Sequence, residues 1–322
     1  MKFNGFFKKK EKKDPLLEAE EYKLSGKYDK ALEAYAAILK AQPANLKAWY
    51  DKASIHLTLE QYQPALEAYE NVLKLDPGNI KAWHEKGFVL LNLGKLDDAL
   101  LAYDRVLAAG PNNIKLLSEK AVILKELKKD SEVLKIYEML LEKEPKNIKI
   151  WFDRGLIYHD LGKETEAFKS YEKVLELDPD HAGALARKGL IMGLKRQYAD
   201  SFALLDRAME KEPGNWNAMY GKGAVWKMKG ADLSALGRRF DAIKAFDNAL
   251  HAYEKAIELN PKRSDLWHEK GMVLKELDRG NEALQAFNKA IELDPRNTNA
   301  LYDKGLMLKI LGWEAEATKC FE

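Results

Sequence analysis

Residues 80–113, IKAWHEKGFVLLNLGKLDDALLAYDRVLAAGPNN, contain the pattern that decides the fold. Apolar side chains recur at spacings of three, four and seven residues both before and after Gly94. Such spacings place an apolar stripe along an α-helix. Gly94 can adopt the positive φ that ends a first helix, and Pro111 ends a second one because its ring removes a backbone donor. The stretch therefore predicts two helices joined by a tight turn.

The same pattern recurs along the chain with a period of 34 residues. The prolines equivalent to Pro111 are 34 residues apart, except for one step of 48 between Pro213 and Pro261. We therefore predict eight full repeats, a partial ninth over residues 298–322, and a 14-residue insertion within residues 216–263. With this proline as position thirty-two, the repeats start at residues 12, 46, 80, 114, 148, 182, 216, 264 and 298.

Four positions of the repeat carry the same kind of side chain in most copies. Position eight is always Ala or Gly, position four is often Trp, position twenty is mostly Ala, and position twenty-four is nearly always aromatic. Small side chains let the two backbones approach where the helices cross, and the aromatic ring fills the space beside them. The sixth repeat departs, with Ser201 and Leu205 at positions twenty and twenty-four. One hairpin cannot bury both of its apolar faces, so stacked copies are expected to share a core.

Over residues 12–322 this pattern resembles the tetratricopeptide repeat. The resemblance implies an all-α, right-handed α-solenoid of stacked antiparallel helix pairs, a single superhelical domain over residues 14–322. It also implies that the first helices line a concave groove, with positions two, five and nine among those that face it. The function that it implies is a non-enzymatic scaffold that binds a peptide or helix of a partner protein.

Side chains at the groove positions vary between repeats while the frame stays the same, as selective binding requires. Positions five and nine supply an aromatic and apolar strip, and lysines at position two supply one margin. The alternative is that position nine only packs against the adjacent first helix. The candidate groove residues are Tyr50, His84, Phe88, Val122, Phe152, Leu156, Leu190, Tyr220, Lys47, Lys81, Lys115 and Lys149.

Position seven is Lys or Arg in every repeat from the second to the ninth. The row could bind an anionic partner, or each aliphatic stem could pack across a helix boundary with its charge paired to a neighbouring carboxylate. We favour the second interpretation, because a ligand contact rarely recurs identically in every repeat. Some members of the family clamp a partner's C-terminal carboxylate with asparagines at positions six and nine. Neither position contains Asn here, so we expect no such clamp.

The 14-residue insertion divides into seven residues for each helix of the seventh pair. Seven residues are close to two helical turns, so each helix can lengthen and still present the same face. We therefore predict two extended helices that reverse near Gly237, with Arg238 and Arg239 at a projecting tip. The two arginines form either a second contact for an acidic partner or a solvated turn.

Several classes of function find no support in the sequence. There is no GxxxxGK[ST], HExxH or GxSxG motif, so no enzyme is expected. The histidines form no i, i+4 pair and the single cysteine excludes a CxxC site, so neither a metal nor a cofactor is expected. The net charge is +2, and residues 1–13 alone contribute +5, which leaves the rest of the chain without a large basic field for nucleic acid. No apolar run is long enough to predict a transmembrane segment.

The two ends of the chain lead to further expectations. Residues 1–13 combine lysines with three phenylalanines, and we expect a disordered tail rather than a contact with an anionic membrane or a partner. The single cysteine, Cys320, fits a reducing compartment, so we expect a cytoplasmic location. The ninth repeat stops before its second helix is complete. The alternative function is therefore a structural protein that self-associates through this C-terminal end, unless the chain is a fragment.

Overall fold

The computed structural model describes residues 14–321, and the regular structure in this range is entirely α-helical. Eighteen helices, with no strand among these residues, follow one another as nine hairpins, one for each repeat. This confirms the all-α fold of stacked helix pairs that the sequence predicts. The predicted tail, residues 1–13, lies outside the described residues. Within the described range, no helix combines the length and the apolar character needed to cross a membrane.

The helices group into two compact units, with a boundary between Lys143 and Glu144. In the N-terminal unit, the two helices of every repeat pack against each other, and the second helix of each of the first three repeats also packs against the first helix of the next repeat. Its helices are α1 (Pro15–Leu24), α2 (Tyr28–Ala41), α3 (Leu46–Thr58), α4 (Tyr62–Leu75), α5 (Ile80–Asn92), α6 (Leu96–Ala109), α7 (Ile114–Glu126) and α8 (Asp130–Lys143).

The C-terminal unit has the same order of packing from one repeat to the next. That the two units form one solenoid over residues 14–322 stays a prediction. The helices of this unit are α9 (Ile148–Asp160), α10 (Glu164–Leu177), α11 (Ala182–Leu194), α12 (Tyr198–Lys211), α13 (Trp216–Ala235), α14 (Arg239–Leu259), α15 (Ser264–Glu276), α16 (Gly280–Leu293), α17 (Thr298–Ile310) and α18 (Glu314–Thr318).

Side-chain caps start most of the first helices. In α3, for example, Asn45 Oδ1 accepts a hydrogen bond of 3.0 Å from the backbone N–H of Ala48. Such a cap satisfies one of the backbone donors that the first turn of a helix leaves without a partner. The same contact is made by Asn79, Asn113, Asn147, Asn215 and Asn297, and by a ring nitrogen of His181.

The turn inside each hairpin requires a left-handed backbone. Gly94 has a φ of 70°, as its place in the repeat predicts. The equivalent residue has a positive φ in all nine hairpins of the described chain, and it is not always glycine. The four non-glycine cases are Glu60, Lys128, Arg196 and Asp278.

The tryptophans at position four tie four of the inter-repeat turns to the helix that follows. The indole Nε1 of Trp49 donates a hydrogen bond of 2.9 Å to the carbonyl oxygen of Pro43. Trp83, Trp151 and Trp267 make the same bond to the proline of their own turn. The proline therefore ends one repeat, and its carbonyl oxygen anchors the start of the next.

The crossing point of each hairpin is packed as the pattern of small and aromatic residues predicts. A Cβ added to Gly87 would lie 2.4 Å from the Tyr103 ring, and one added to Gly155 would lie 2.5 Å from the Tyr171 ring. Only a small residue fits there without moving the ring. In the sixth repeat, the buried Ser201 hydroxyl donates a hydrogen bond of 2.6 Å to Gly189 O, which explains how a polar residue is accommodated at position twenty.

The seventh hairpin is longer than the others on both sides. Its helices α13 and α14 have 20 and 21 residues, whereas α3 and α4 have 13 and 14. The chain reverses at Gly237, where φ is 73°. The prediction of two extended helices is therefore confirmed. The extension also repeats the crossing contact, since a Cβ on Gly230 would lie 2.7 Å from the Phe246 ring.

A methyl group at the crossing point should destabilise its repeat. In Gly271→Ala, the new Cβ would lie 2.5 Å from the Phe287 ring, which is fully buried. We expect a loss of about 1–3 kcal/mol of stability, the usual cost of overpacking a core. The loss of stability should appear as faster amide hydrogen exchange in α15 and α16. Gly214→Ala is the control, because its Cβ would meet no atom within 4 Å. Equal exchange in both variants would contradict the packing argument.

Candidate peptide-binding site

The basic row at position seven is part of the frame of the fold. Lys86 Nζ lies 3.0 Å from Glu70 Oε1 and 5.5 Å from the centre of the Trp83 ring. The carboxylate belongs to position twenty-five of the preceding repeat, not to the acid at position six. The same ion pair joins Lys120 to Asp104, Lys188 to Glu172, Lys222 to Asp206 and Lys270 to Glu254. The predicted packing of the stem with a paired charge is thus confirmed for these residues.

The candidate groove residues of the N-terminal unit lie on the first helices, and we call them the N-terminal wall: Tyr50, His84, Phe88 and Val122. Tyr50 rests on the buried Tyr69, with ring centres 5.7 Å apart, and His84 rests on Tyr103 at 6.1 Å. Position five therefore covers the aromatic core residue of its own repeat. Phe88 and Val122 leave 41% and 64% of their surface exposed.

A cavity of about 400 Å³ opens between the second and third repeats of this unit. It brings together Tyr50 and Phe88 of the N-terminal wall, whereas His84 and Val122 lie outside its lining. The candidate residues predicted from the sequence did not include the other seven lining residues, among them Glu60, Tyr62 and Glu85. Glu60 belongs to the turn between α3 and α4, and no repeat spacing indicates that it lies near Phe88 of the next repeat. The full lining is Tyr50, Ser54, Leu57, Thr58, Glu60, Tyr62, Tyr69, Glu85 and Phe88.

Carboxylates at position six lie among the aromatic side chains of this wall. Asp51 Oδ2 accepts a hydrogen bond of 3.3 Å from the Tyr35 hydroxyl, and Glu119 Oε2 lies 3.9 Å from His84 Nε2. Burial, followed by the charges of Glu85 and Asp51, raises the pKa of Tyr50. The carboxylates therefore act on the aromatic side chains of the wall.

The lysines predicted for one margin differ in their surroundings. Lys47 Nζ lies 2.9 Å from Glu20 Oε2, and Lys115 Nζ lies 3.9 Å from Glu119 Oε1. Lys81, and Lys149 in the C-terminal unit, are exposed. In the N-terminal unit, two of the three margin lysines are thus balanced by carboxylates of neighbouring first helices or turns of the same helix.

In the C-terminal unit, the aromatic and apolar candidate groove residues are less exposed than Phe88 and Val122. Phe152 packs against His181, with ring centres 4.8 Å apart, and Tyr220 lies 6.0 Å from Tyr253. Leu156 is half-buried, and Leu190 packs against the core cluster around Leu205. The alternative interpretation of position nine, packing within the array, therefore describes Leu190.

The tip of the seventh hairpin carries the second candidate contact. Arg238 pairs with Asp241 at 2.6 Å, and Arg239 lies 3.8 Å from Asp278 with both side chains almost fully exposed. Phe240 beside them is 83% exposed. The extension is tied down at Asp232, where Oδ2 accepts a hydrogen bond of 2.6 Å from the Tyr198 hydroxyl.

These hairpins, stacked through small and aromatic residues, define an α-helical repeat protein, and comparison with known families identifies the class. Models of the tetratricopeptide repeat match more than half of the chain. The chain belongs to the tetratricopeptide repeat family. The matched residues are 16–80, 50–114, 148–181, 235–263, 264–297 and 286–319.

Solved structures share the fold. A tetratricopeptide repeat protein from Parabacteroides merdae is 19% identical, with a TM-score of 0.57 over 84% of this chain and 98% of that one. The C-terminal part of a repeat-containing protein of the family from Cytophaga hutchinsonii is 13% identical, with a TM-score of 0.53 over 79% of this chain and 98% of that one. No curated protein sequence matches the chain significantly.

The contact that ties down the extended hairpin should be visible in a pH titration. Burial, together with the hydrogen bond to Asp232, raises the pKa of Tyr198 from 10.0 to about 12. Because the folded-state pKa is the higher one, this contact stabilises the fold fully below pH 10 and is lost as the pH rises through about 12. An NMR titration of ring-labelled tyrosine, with Tyr198→Phe to assign the signal, should show the pKa fall towards its ordinary value in Asp232→Asn. An unchanged pKa would contradict the assigned contact.

Proposed function

We propose that this protein is a non-enzymatic scaffold that holds a peptide or helix of a partner protein against the first helices of its repeats. The repeats make it a protein-interaction fold, and folds of this family typically have no catalytic role. A cytoplasmic location, as expected from the single cysteine, is part of the proposal.

The observation that carries the proposal is the contrast between the N-terminal wall and the residues next to it. Val89 and Ile123 are fully buried, whereas the preceding residues, Phe88 and Val122, are exposed. Both exposed side chains occupy position nine, in two adjacent repeats. Apolar surface repeated in this way tends to mark a partner site. Covering a side chain of this size contributes about 1.5–3 kcal/mol, which gives a partner a reason to bind.

The wall also offers what selectivity requires. Position five is Tyr50 in one repeat and His84 in the next, and position nine changes from Ser54 to Phe88 to Val122. The residues beneath them, the small and aromatic pairs at the crossing points, stay nearly constant. Substitution at the wall therefore changes the surface that a partner meets without disturbing the packing that supports it.

The test compares substitutions at two apolar residues whose side chains have nearly the same exposed fraction. Partners captured by the full chain are identified by mass spectrometry, and overlapping peptides of each are then titrated against purified protein. Val122→Ser should weaken binding of the recognised peptide about tenfold or more, because its contact surface loses apolar area. Leu101→Ser is the matched control, since Leu101 is 65% exposed but lies on the second helix α6.

Two results would argue against the proposal. One is a peptide whose affinity is the same for both variants, which would place binding away from the first helices. The other is a chain that self-associates in light scattering and becomes monomeric in Val122→Ser. That result would make a second copy of this chain the occupant of the wall, a different contact from the self-association through the C-terminal end that the sequence suggests.

A further inference from the structure

We propose that the cavity between the second and third repeats binds a basic side chain, arginine or lysine, of the partner segment. This inference rests on the scaffold function proposed above and adds the chemistry of one subsite. It concerns the N-terminal unit alone, where α3, the turn that follows it, α4 and α5 supply the lining.

Aromatic rings form much of the lining. Tyr50, Tyr62, Tyr69 and Phe88 all contribute to it. The rings of Tyr50 and Tyr69 meet edge to face, at 76° to one another, so their π faces are turned in different directions. A cation near aromatic faces is attracted by the negative charge at the centre of each ring. The aliphatic stem of a lysine or arginine would find apolar surface on the same rings.

Two carboxylates supply the charge. Glu60 and Glu85 line the cavity, and none of the described lining residues is a lysine or an arginine. The nearby Lys86 is directed elsewhere, since it pairs with Glu70 and lies over Trp83. The His84 ring lies beside Glu85, with Nδ1 at 3.7 Å from Oε1. The cavity therefore carries negative charge next to aromatic surface.

The negative charge of the two carboxylates makes an apolar side chain an unfavourable occupant of the cavity. A leucine or phenylalanine in the cavity would remove water from the two carboxylates and give them no partner, which is unfavourable. A guanidinium or ammonium group supplies donors and opposite charge to the same carboxylates. The volume of about 400 Å³ lies at the lower end of the range for small-ligand sites, so it suits one long side chain rather than a whole helix.

The experiment uses three pentapeptides, acetylated at the N-terminus and amidated at the C-terminus. Each has two alanines on either side of one central residue, which is arginine in the first peptide, lysine in the second and glutamine in the third. The methyl signals of Leu57, which lines the cavity, report binding to the full-length methyl-labelled chain. The arginine and lysine peptides should shift these signals in a saturable way, and the glutamine peptide should not. Glu85→Gln should weaken binding of the basic peptides about fivefold, the upper range for one partly exposed ion pair.

Two further variants isolate the chemistry. Glu33→Gln removes the same charge from the exposed face of α2, and should leave binding unchanged. Phe88→Leu keeps the site apolar but removes a ring, and should weaken binding of the basic peptides about twofold or more. Unchanged methyl signals of residues outside the cavity in the free variants show that the fold is intact.

Equal binding of the glutamine peptide, or no effect of Glu85→Gln, would overturn the inference. So would the absence of saturable binding by both basic peptides. None of these results would contradict the scaffold proposal, because that proposal is tested by comparing partner binding to Val122→Ser and to Leu101→Ser. Conversely, basic peptides that bind here while Val122→Ser has no effect on partner binding would leave the subsite without its proposed function.

Discussion

The close approach of two helix backbones beside an aromatic ring is the contact on which every hairpin depends. Gly87 and Tyr103 show it in one repeat, and Gly155 and Tyr171 in another. Because the residue at position eight has almost no volume, the ring can lie flat against the first helix and remain buried. The exposed side chains at position nine, such as Phe88 and Val122, lie on the same helices as these buried contacts. The frame and the variable wall are therefore two faces of the same helix, separated by one small residue.

The constancy of this contact explains why the fold could be predicted from the sequence in detail. Proline spacing, the small residue at position eight and the aromatic at position twenty-four are local signals that repeat, so errors in one copy are corrected by the others. Even the extended hairpin was predictable, because Gly237 is the turn glycine of the repeat pattern displaced by seven residues. The ion-pair partner of the position-seven lysines was harder to predict from the sequence. It lies on the preceding repeat, and only the packing of one hairpin on the next brings Glu70 to Lys86.

The candidate site was predicted less completely than the fold, and the reason is geometric. Repeat position states which face of a helix a residue occupies, which placed Tyr50 and Phe88 correctly on one surface. It does not state how deep the space between neighbouring helices is, nor which turn closes it. Glu60 approaches that space from a turn whose backbone is left-handed, a conformation that its residue type does not favour. Position nine also includes both exposed residues and Leu190, which packs against the core.

The duplicated crossing contact in the seventh hairpin restricts how such a hairpin can change length. Gly230 lies seven residues after Gly223, and Phe246 lies seven residues before Tyr253, so one layer was added to both helices together. Seven residues fall about 20° short of two full turns, which is small enough for the new layer to stay in line with the old one. An addition of three or five residues to one helix would turn its small residue away from the opposing ring. Hairpins of this kind are therefore expected to lengthen by additions to both helices that lie close to whole turns, such as seven or eleven residues, and their lengths form a discrete series.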